Sequence, residues 1–369
     1  MSSDTVVKDR QPPFRSAPAG EAPPRHWLSL ELVGNVLVAS VLLLCLLPLW
    51  NWGVRDAVWT GDQAACQQAG AGACWAYVAQ KSRFFLLGFY PAEQQWRPVL
   101  GSLVILALVG ASVTPRFWRP ALLGAWLAGV VVFFWLMAGG LGLPMVSSNL
   151  WSGLPVTLML TAFALAFGFP LGALLALGRS SDFPLIRIAC TVWIETIRGL
   201  PFISILFMAN ILLPLFLPAG VDIDKLLRVQ LAFILLASAY IAEVVRGGLQ
   251  SIPKGQREAA AALGLGYWRC TLLVVLPQAL RLVIPSLVNT SIAFLKDTSL
   301  IVVIGLFDLL GTVKAANSDS AWLGHATEGY LTATVIYFLL CFSLSRFGTR
   351  LERRNARLGR STKPAADPA

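Results

Sequence analysis

Long apolar runs separated by short polar and basic breaks set the pattern of this chain. The first run is Leu32 to Leu49, with Trp27 and Trp50 at its two ends, positions that interfacial aromatic side chains favour. A polar stretch follows to about Trp96. Then come the short run Val99 to Val113, the basic turn Thr114-Pro115-Arg116-Phe117-Trp118-Arg119, and the run Ala121 to about Leu141. Beyond a Gly/Pro/Ser-rich break (GGLGLPMVSSN) lie Leu154 to Leu177, Leu200 to Leu217, Leu231 to Val245, roughly Leu272 to Leu295, and Gly329 to Ser345. Crossing lipid as a helix takes roughly 17–25 apolar residues, because each backbone amide must be bonded within its own helix. The pattern predicts an all-α, polytopic transmembrane helical bundle of about eight spans.

Composition agrees with that pattern. A chain of 369 residues that is 56% hydrophobic and 13% charged, with a mean hydropathy of +0.69, has too little polar surface to enclose itself as a soluble globule. The net charge of +10 admits nucleic acid as a partner. However, the basic residues cluster at the ends of apolar runs and form no aromatic-basic face, so topology explains them and no nucleic-acid partner is expected. Lys8, Arg10, Arg15, Arg25, Arg116, Arg119, Arg179, Arg246, Lys254, Arg257, Arg269, Arg346, Arg350, Arg353, Arg354, Arg357 and Arg360 fall on one predicted face, which is therefore cytoplasmic and holds both termini. The opposite face carries Arg55, Lys81 and Arg83, balanced by Asp56, Asp62 and Glu93.

The chain divides accordingly. Residues 1–26, rich in Pro, Ser and Ala, read as a disordered cytoplasmic tail. Residues 27–142 form an N-terminal transmembrane region with an outer loop at 51–96. Residues 151–348 form the main block, with a cytoplasmic loop at 247–270, and residues 349–369 form a basic tail. The first apolar run is too long for a signal peptide and no small-residue cleavage site follows it.

Cys45, Cys190 and Cys341 sit in apolar runs and Cys270 beside one, as small hydrophobes. Cys66 and Cys74 flank a polar stretch of the outer loop, where they are either a disulfide or two free thiols. Pro170, Pro201, Pro214, Pro277 and Pro285 interrupt the main block at membrane depth. Each removes an amide donor and tends to kink a helix, a feature common in transporters.

The loop Ser251-Ile252-Pro253-Lys254-Gly255-Gln256-Arg257-Glu258-Ala259-Ala260-Ala261-Ala262-Leu263-Gly264-Leu265-Gly266 reads as a short docking helix. Pro253 and Gly255 break the preceding span, and Glu258 is expected in the first turn, where the helix dipole favours negative charge. The alanines give a strong helix with a flat surface, and Gly264 or Gly266 permits a left-handed exit. A smooth helix standing out of a membrane suits a groove in a partner.

Here the chain resembles the inner-membrane permeases of bacterial ATP-binding-cassette importers. Their cytoplasmic signature is EAA, three residues, Gly, nine residues, an aliphatic residue, one residue and Leu-Pro. It is matched by Glu258-Ala259-Ala260, Gly264, Val274 and Leu276-Pro277. The resemblance covers roughly Trp151 to Arg354. It narrows to permeases for polar amino acids through Glu195 with Arg198-Gly199-Leu200-Pro201, Glu243 to Gln250, Pro277 to Arg281, and Lys296-Asp297-Thr298-Ser299-Leu300. Leu200 departs from the Thr of many relatives. The run Phe207 to Pro218 and the extra N-terminal spans are similar to general L-amino acid importers.

The resemblance implies a type I importer permease core with kinked helices, in the bacterial inner membrane, working by alternating access. Its partners would be a second permease subunit, identical or related, an ATPase dimer docked on the loop, and a periplasmic binding protein that delivers the amino acid. Surrounding lipid would complete the assembly. The chain itself would bind no cofactor and catalyse nothing. No G-x-x-x-x-G-K-[ST] phosphate loop is present, so ATP hydrolysis falls to another chain. The two histidines, His26 and His325, lie on opposite predicted sides and provide no metal or catalytic site.

Polar residues inside the bilayer are functional candidates. Asn289, Thr290 and Ser291 interrupt an apolar helix, and helical spacing places Thr290 on the face of Phe294, near Ala293 and Asp297. That face is a candidate substrate path; alternatively, the hydroxyls bond back to their own helix and Asn289 joins two helices. Many permeases of this type are acidic where Thr290 stands, which suits cationic substrates; Thr fits a broader range. Lys296 and Asp297 are sequence neighbours that cannot face each other on one helix, so they must pair elsewhere. Glu195, Arg198, Glu243 and Arg246 lie near membrane boundaries, as structural ion pairs or as substrate contacts. A secondary transporter or channel is the alternative function. Such a protein needs no docking helix, and a proton-driven one usually carries titratable residues in mid-span.

Overall fold

The computed structural model describes residues 25–361 except 69, 115, 116, 118 and 219, with side chains omitted at 25–31, 113 and 354–361. Most of the expected N-terminal tail lies outside the described residues, as do Arg116 and the side chains of Arg354, Arg357 and Arg360. Helix α1 (Arg25–Trp50) continues into a π turn (Asn51–Arg55), and none of its apolar window is buried within the chain. Between it and the next long helix lie the short α2 (Gln63–Cys66) and α3 (Trp75–Leu87). The pair α4 (Trp96–Val113) and α5 (Ala121–Ala138) then packs side by side.

The main block opens with α6 (Leu154–Arg179), α7 (Pro184–Gly199), α8 (Phe202–Phe207), a π turn (Met208–Leu212) and α9 (Leu213–Leu215). Next come α10 (Lys225–Gln250), α11 (Lys254–Ala262), α12 (Tyr267–Arg269), a π turn (Cys270–Val275) and α13 (Leu276–Asp297). A 3₁₀ segment (Thr298–Ile304), α14 (Leu309–Asn317) and α15 (Ala326–Ser361) complete it. The last helix thus continues well past Ser345, where the apolar run stops. Among the described residues the only β pairing consists of isolated bridges.

Six helices are long and apolar enough to cross a membrane. A seventh span results if α7 and the α8–α9 segment count as one crossing bent by 103°. The shorter apolar helix Trp96–Ser112 would bring the total to the eight read from the runs. The bend corrects the sequence reading, which began this span at Leu200. Helix already exists from Pro184; Pro201 interrupts it by holding Leu200 extended (φ −88°, ψ 137°), as a residue preceding proline prefers. Nothing in the structure explains why Leu stands at position 200.

The centre of the bundle is the pairing of α6 with α10. A Cβ on Gly168 would meet the Ala237 methyl at 2.7 Å, and one on Gly172 would meet the Ser238 carbonyl oxygen at 2.7 Å. These glycines, four residues apart on one face, let the two backbones touch. Such close approach stabilises helix pairs in lipid, where apolar burial alone gives no advantage. Phe163, Phe233, Leu236 and Val245 fill the surrounding core.

Prolines shape two further helices. Pro214 and Pro277 each stand second in the helix that follows a π turn, and Pro170 and Pro285 lie inside α6 and α13. A proline cannot donate to the carbonyl four residues earlier, and a π turn is one way for the chain to absorb that loss. One freed acceptor finds another donor. Arg228 Nη1 donates to the Asn210 carbonyl at 3.0 Å, four residues before Pro214.

Candidate coupling surface and substrate path

Helix α11 begins at Lys254, with Pro253 at its N-cap. Glu258 therefore lies in the second turn and not in the first, because the helix starts as soon as Pro253 ends the break after α10. Its exit is set by Gly264, whose φ of +75° only glycine adopts without cost. The Leu265 N–H donates to the Ala260 carbonyl and the Gly264 N–H to the Ala261 carbonyl, the paired bonds of a Schellman cap. Gly266 keeps an ordinary negative φ of −67°.

Ala260 is buried, while Glu258, Ala259, Ala261 and Gly264 are exposed. Among the described residues no ion pair holds Glu258. The inner side of α11 rests on the Cys270–Val275 π turn, and Gln278 Nε2 also donates to Gln256 Oε1 at 3.2 Å. Next to it, Leu263 and Trp268 stand 82% and 64% exposed. The outer side of α11 is thus an alanine surface flanked by the exposed Lys254, Arg257 and Glu258 and by large apolar side chains. Leu276, half-buried, and Pro277, exposed, open α13 directly behind it.

At the same end of the bundle the expected ionic residues meet, joined by one that sequence reading treated as topological only. Arg179, closing α6, pairs with Glu195 at 2.8 Å and Glu243 at 3.2 Å. Glu243 also faces Arg198 at 3.6 Å and forms a close pair with Arg246. Helices α6, α7 and α10 are tied by this five-residue cluster. Arg198 also lies over the Tyr240 ring, 5.7 Å from its centroid. The signal that marks Arg179 in the sequence is a lone cation ending an apolar run.

The proposed path residues of α13 separate. Thr290 and Ser291 donate back to the Ser286 and Leu287 carbonyls, and Asn289 is exposed. Phe294 is buried, its ring set against Phe233 and Tyr240 of α10. Lys296 is exposed and Asp297 half-buried. Among the described residues neither forms an ion pair, so the pairing expected for them is not made there.

The opposite end of the bundle carries the cysteine pair and, around it, contacts that motif reading did not reach. Cys66 and Cys74 are joined by a disulfide, and the Cys74 N–H donates to Glu328 Oε1 at 2.8 Å. Tyr77 donates to Asn317 Oδ1 at 2.7 Å, and Lys81 pairs with Asp319 at 2.5 Å. Burial pushes the Tyr77 phenol up to about 12, helped by the charges of Asp319 and Glu328. The 51–96 segment is thereby fastened to α14 and the start of α15. Arg97, fully buried, donates to the carbonyls of Leu136 at 2.6 Å and Pro144 at 2.9 Å, capping the end of α5. Asp308, also fully buried, starts α14; its N-cap position before Leu-Leu-Gly is the sequence signal.

Residues 168–357 match the family described as binding-protein-dependent transport system inner membrane component. The chain belongs to this family. The match begins midway through α6 and takes in the cluster, α11 and α13 together. An Escherichia coli K12 protein named inner membrane amino-acid ABC transporter permease YhdY is 48% identical over 315 residues, 83% of this chain and 84% of that one. The Rhodobacter capsulatus glutamate/glutamine/aspartate/asparagine transport system permease BztC is 33% identical, covering 96% of this chain and 99% of its own. A Bacillus subtilis relative named probable glutamine ABC transporter permease GlnP is 36% identical; 93% of its length aligns with 56% of this chain. The family places the protein in the inner membrane as a permease component, with ATP hydrolysis in a separate subunit and a substrate-binding protein as partner.

Proposed function

We infer that this permease carries L-amino acids, in a broad polar range, by alternating access. The observation that carries the reading is α11: a nine-residue helix bearing Glu258, Ala259 and Ala260 and closed by Gly264, standing out where α10 turns back into α13. An ATPase subunit seated on that alanine surface pushes on the Cys270–Val275 turn behind it, and α13 passes the movement toward Asn289 and Thr290. Amino acids as cargo are supported by the names of the relatives, and Thr290 in place of an acidic residue fits a broad range. The arginine cluster at the α11 end has a positional role, locking α6, α7 and α10 into one body on which the docking helix acts.

In this reading both termini and α11 lie in the cytoplasm, and the disulfide-bonded 51–96 segment lies outside. Two permeases, identical or related, form the pore. Such a machine moves only if ATP and loaded receptor favour one permease conformation over the other. The test is purification with the proteins encoded beside it, followed by ATPase assay with and without amino-acid-loaded receptor. Co-purification of an ATPase stimulated by loaded receptor is expected; its absence would overturn the reading.

A further inference from the structure

We propose that Arg228 and Lys225, at the end of α10 remote from α11, form a receiving site for the carboxylate of the transported amino acid. The proposal rests on the amino-acid reading above. Both side chains are half-buried and sit three residues apart on one helical face. Among the described residues neither has a carboxylate within ion-pair distance. Asp224, beside them, is engaged elsewhere: it accepts from the N–H groups of Leu226 and Leu227 as the helix cap and from the Ser148 hydroxyl.

Arg228 spends one N–H on the Asn210 carbonyl that Pro214 leaves free, and its Nε is buried with no partner. Satisfying one carbonyl needs a single neutral donor. A guanidinium is more than that task requires, and its remaining donors present the planar fork that suits a carboxylate. Lys225 contributes the second charge. Its Nζ lies 3.5 Å from where a Cβ on Gly305 would stand, just beyond the 3₁₀ turn that follows Lys296 and Asp297. Two cations without counter-ions at the end of a spanning helix are costly to keep. An anion that arrives and leaves accounts for both. The bound group would sit between α10, the π turn before Pro214 and the turn after α13, at the far end of α13 from the docking helix.

The test uses the purified permease–ATPase complex without receptor, with radiolabelled glutamate and glutamine in equilibrium dialysis. Saturable binding is expected. R228Q and K225Q should each weaken it roughly tenfold or more, the scale of one charged hydrogen bond, with R228K recovering part of the loss. Equal losses for both ligands would place the α-carboxylate in the site, and a larger loss for glutamate the side-chain carboxylate. A purely structural Arg228 would lower the yield or thermal stability of R228Q and leave the affinity of the folded fraction unchanged. That result, unchanged affinity in both variants, or no saturable binding to the wild type would overturn the site. Amino-acid uptake by the complete wild-type transporter is measured in parallel. Its absence would count against the amino-acid reading itself, and uptake without the binding effects against this site alone.

Discussion

Tyr337 of α15 donates a 2.6 Å hydrogen bond to the carboxylate of Asp308, 29 residues earlier. The same carboxylate accepts from the Gly311 N–H at 2.8 Å and the Thr298 hydroxyl at 3.2 Å. One buried side chain thus joins the start of α14, the 3₁₀ turn after α13 and the last helix. Leaving a buried polar group without its partner costs about 1–3 kcal/mol. Tyr337→Phe should destabilise by that amount, and Asp308→Ala, which strands the Tyr337 hydroxyl and the Gly311 N–H while Thr298 keeps the Leu295 carbonyl, by more. Thermal unfolding of the detergent-solubilised protein measures both; equal melting temperatures for wild type and Asp308→Ala would remove the proposed junction.

Coupling is tested at α11. Gly264→Val forces a branched side chain into φ +75°, a conformation costing roughly 1–2 kcal/mol for an L-residue, and disturbs the helix exit. Glu258→Lys reverses the one negative charge on α11. Both variants should insert normally and bind receptor while losing amino-acid uptake. Survival of uptake in both would show that α11 does not transmit ATPase movement.

Within the arginine cluster the two carboxylates differ. Glu243 meets three arginines with its side chain 25% exposed, whereas Glu195 meets one and is 54% exposed. Partly exposed pairs contribute about 0–1 kcal/mol each. Glu195→Gln should therefore change stability little, and Glu243→Gln, which leaves three cations together, should cost clearly more. Chemical denaturation of the two variants side by side decides the order.

Thr290→Glu tests the substrate path. The hydroxyl now turns back to its own helix, so a longer acidic side chain must reach into the space beside α13. Uptake should shift toward Lys and Arg. An unchanged ranking of amino acids in competition assays would remove Thr290 from the path.

The outer fastening depends on pH at both extremes. The hydrogen bond from Lys81, with that from the Ala321 N–H, holds the Asp319 carboxyl below the ordinary aspartate range. Its contribution is complete above the unfolded value of about 3.9 and is lost as pH falls through the depressed folded value. Tyr77 behaves in the opposite sense. Its folded pKa of about 12 exceeds the unfolded value of about 10, so its contribution is intact below that pH and declines as pH rises through 12. Hydrogen exchange of residues 75–87 should accelerate at both ends. Asp319→Asn should abolish the acid limb and leave the alkaline one.

The spanning runs were legible because lipid demands long apolar helices, and the docking loop because its signature combines a run of alanines with glycine at a fixed distance. Where the reading slipped, chain geometry had replaced composition. Helix α7 carries Arg187, Glu195 and Arg198 among its apolar residues, so it escapes a search for apolar runs although it continues the α8 span through a bend. Glu258 moved one turn inward because the distance from Pro253 fixes the helix start. The π turns before Pro214 and Pro277 have no residue signature beyond the proline. Arg97, Asp308 and Tyr77 depend on partners 29 to 240 residues away, a separation that no local pattern encodes.

The fastening of α3 to α14 and α15 has a mechanical consequence. Residues 51–96 move as one body with the last helices, so relative displacement at that end of the bundle is confined to segments outside the clamp. The segment outside it there is the 3₁₀ turn Thr298–Ile304, ended by the left-handed Gly305. The added N-terminal region thus braces the last two helices and leaves that turn as the hinge between them and α13.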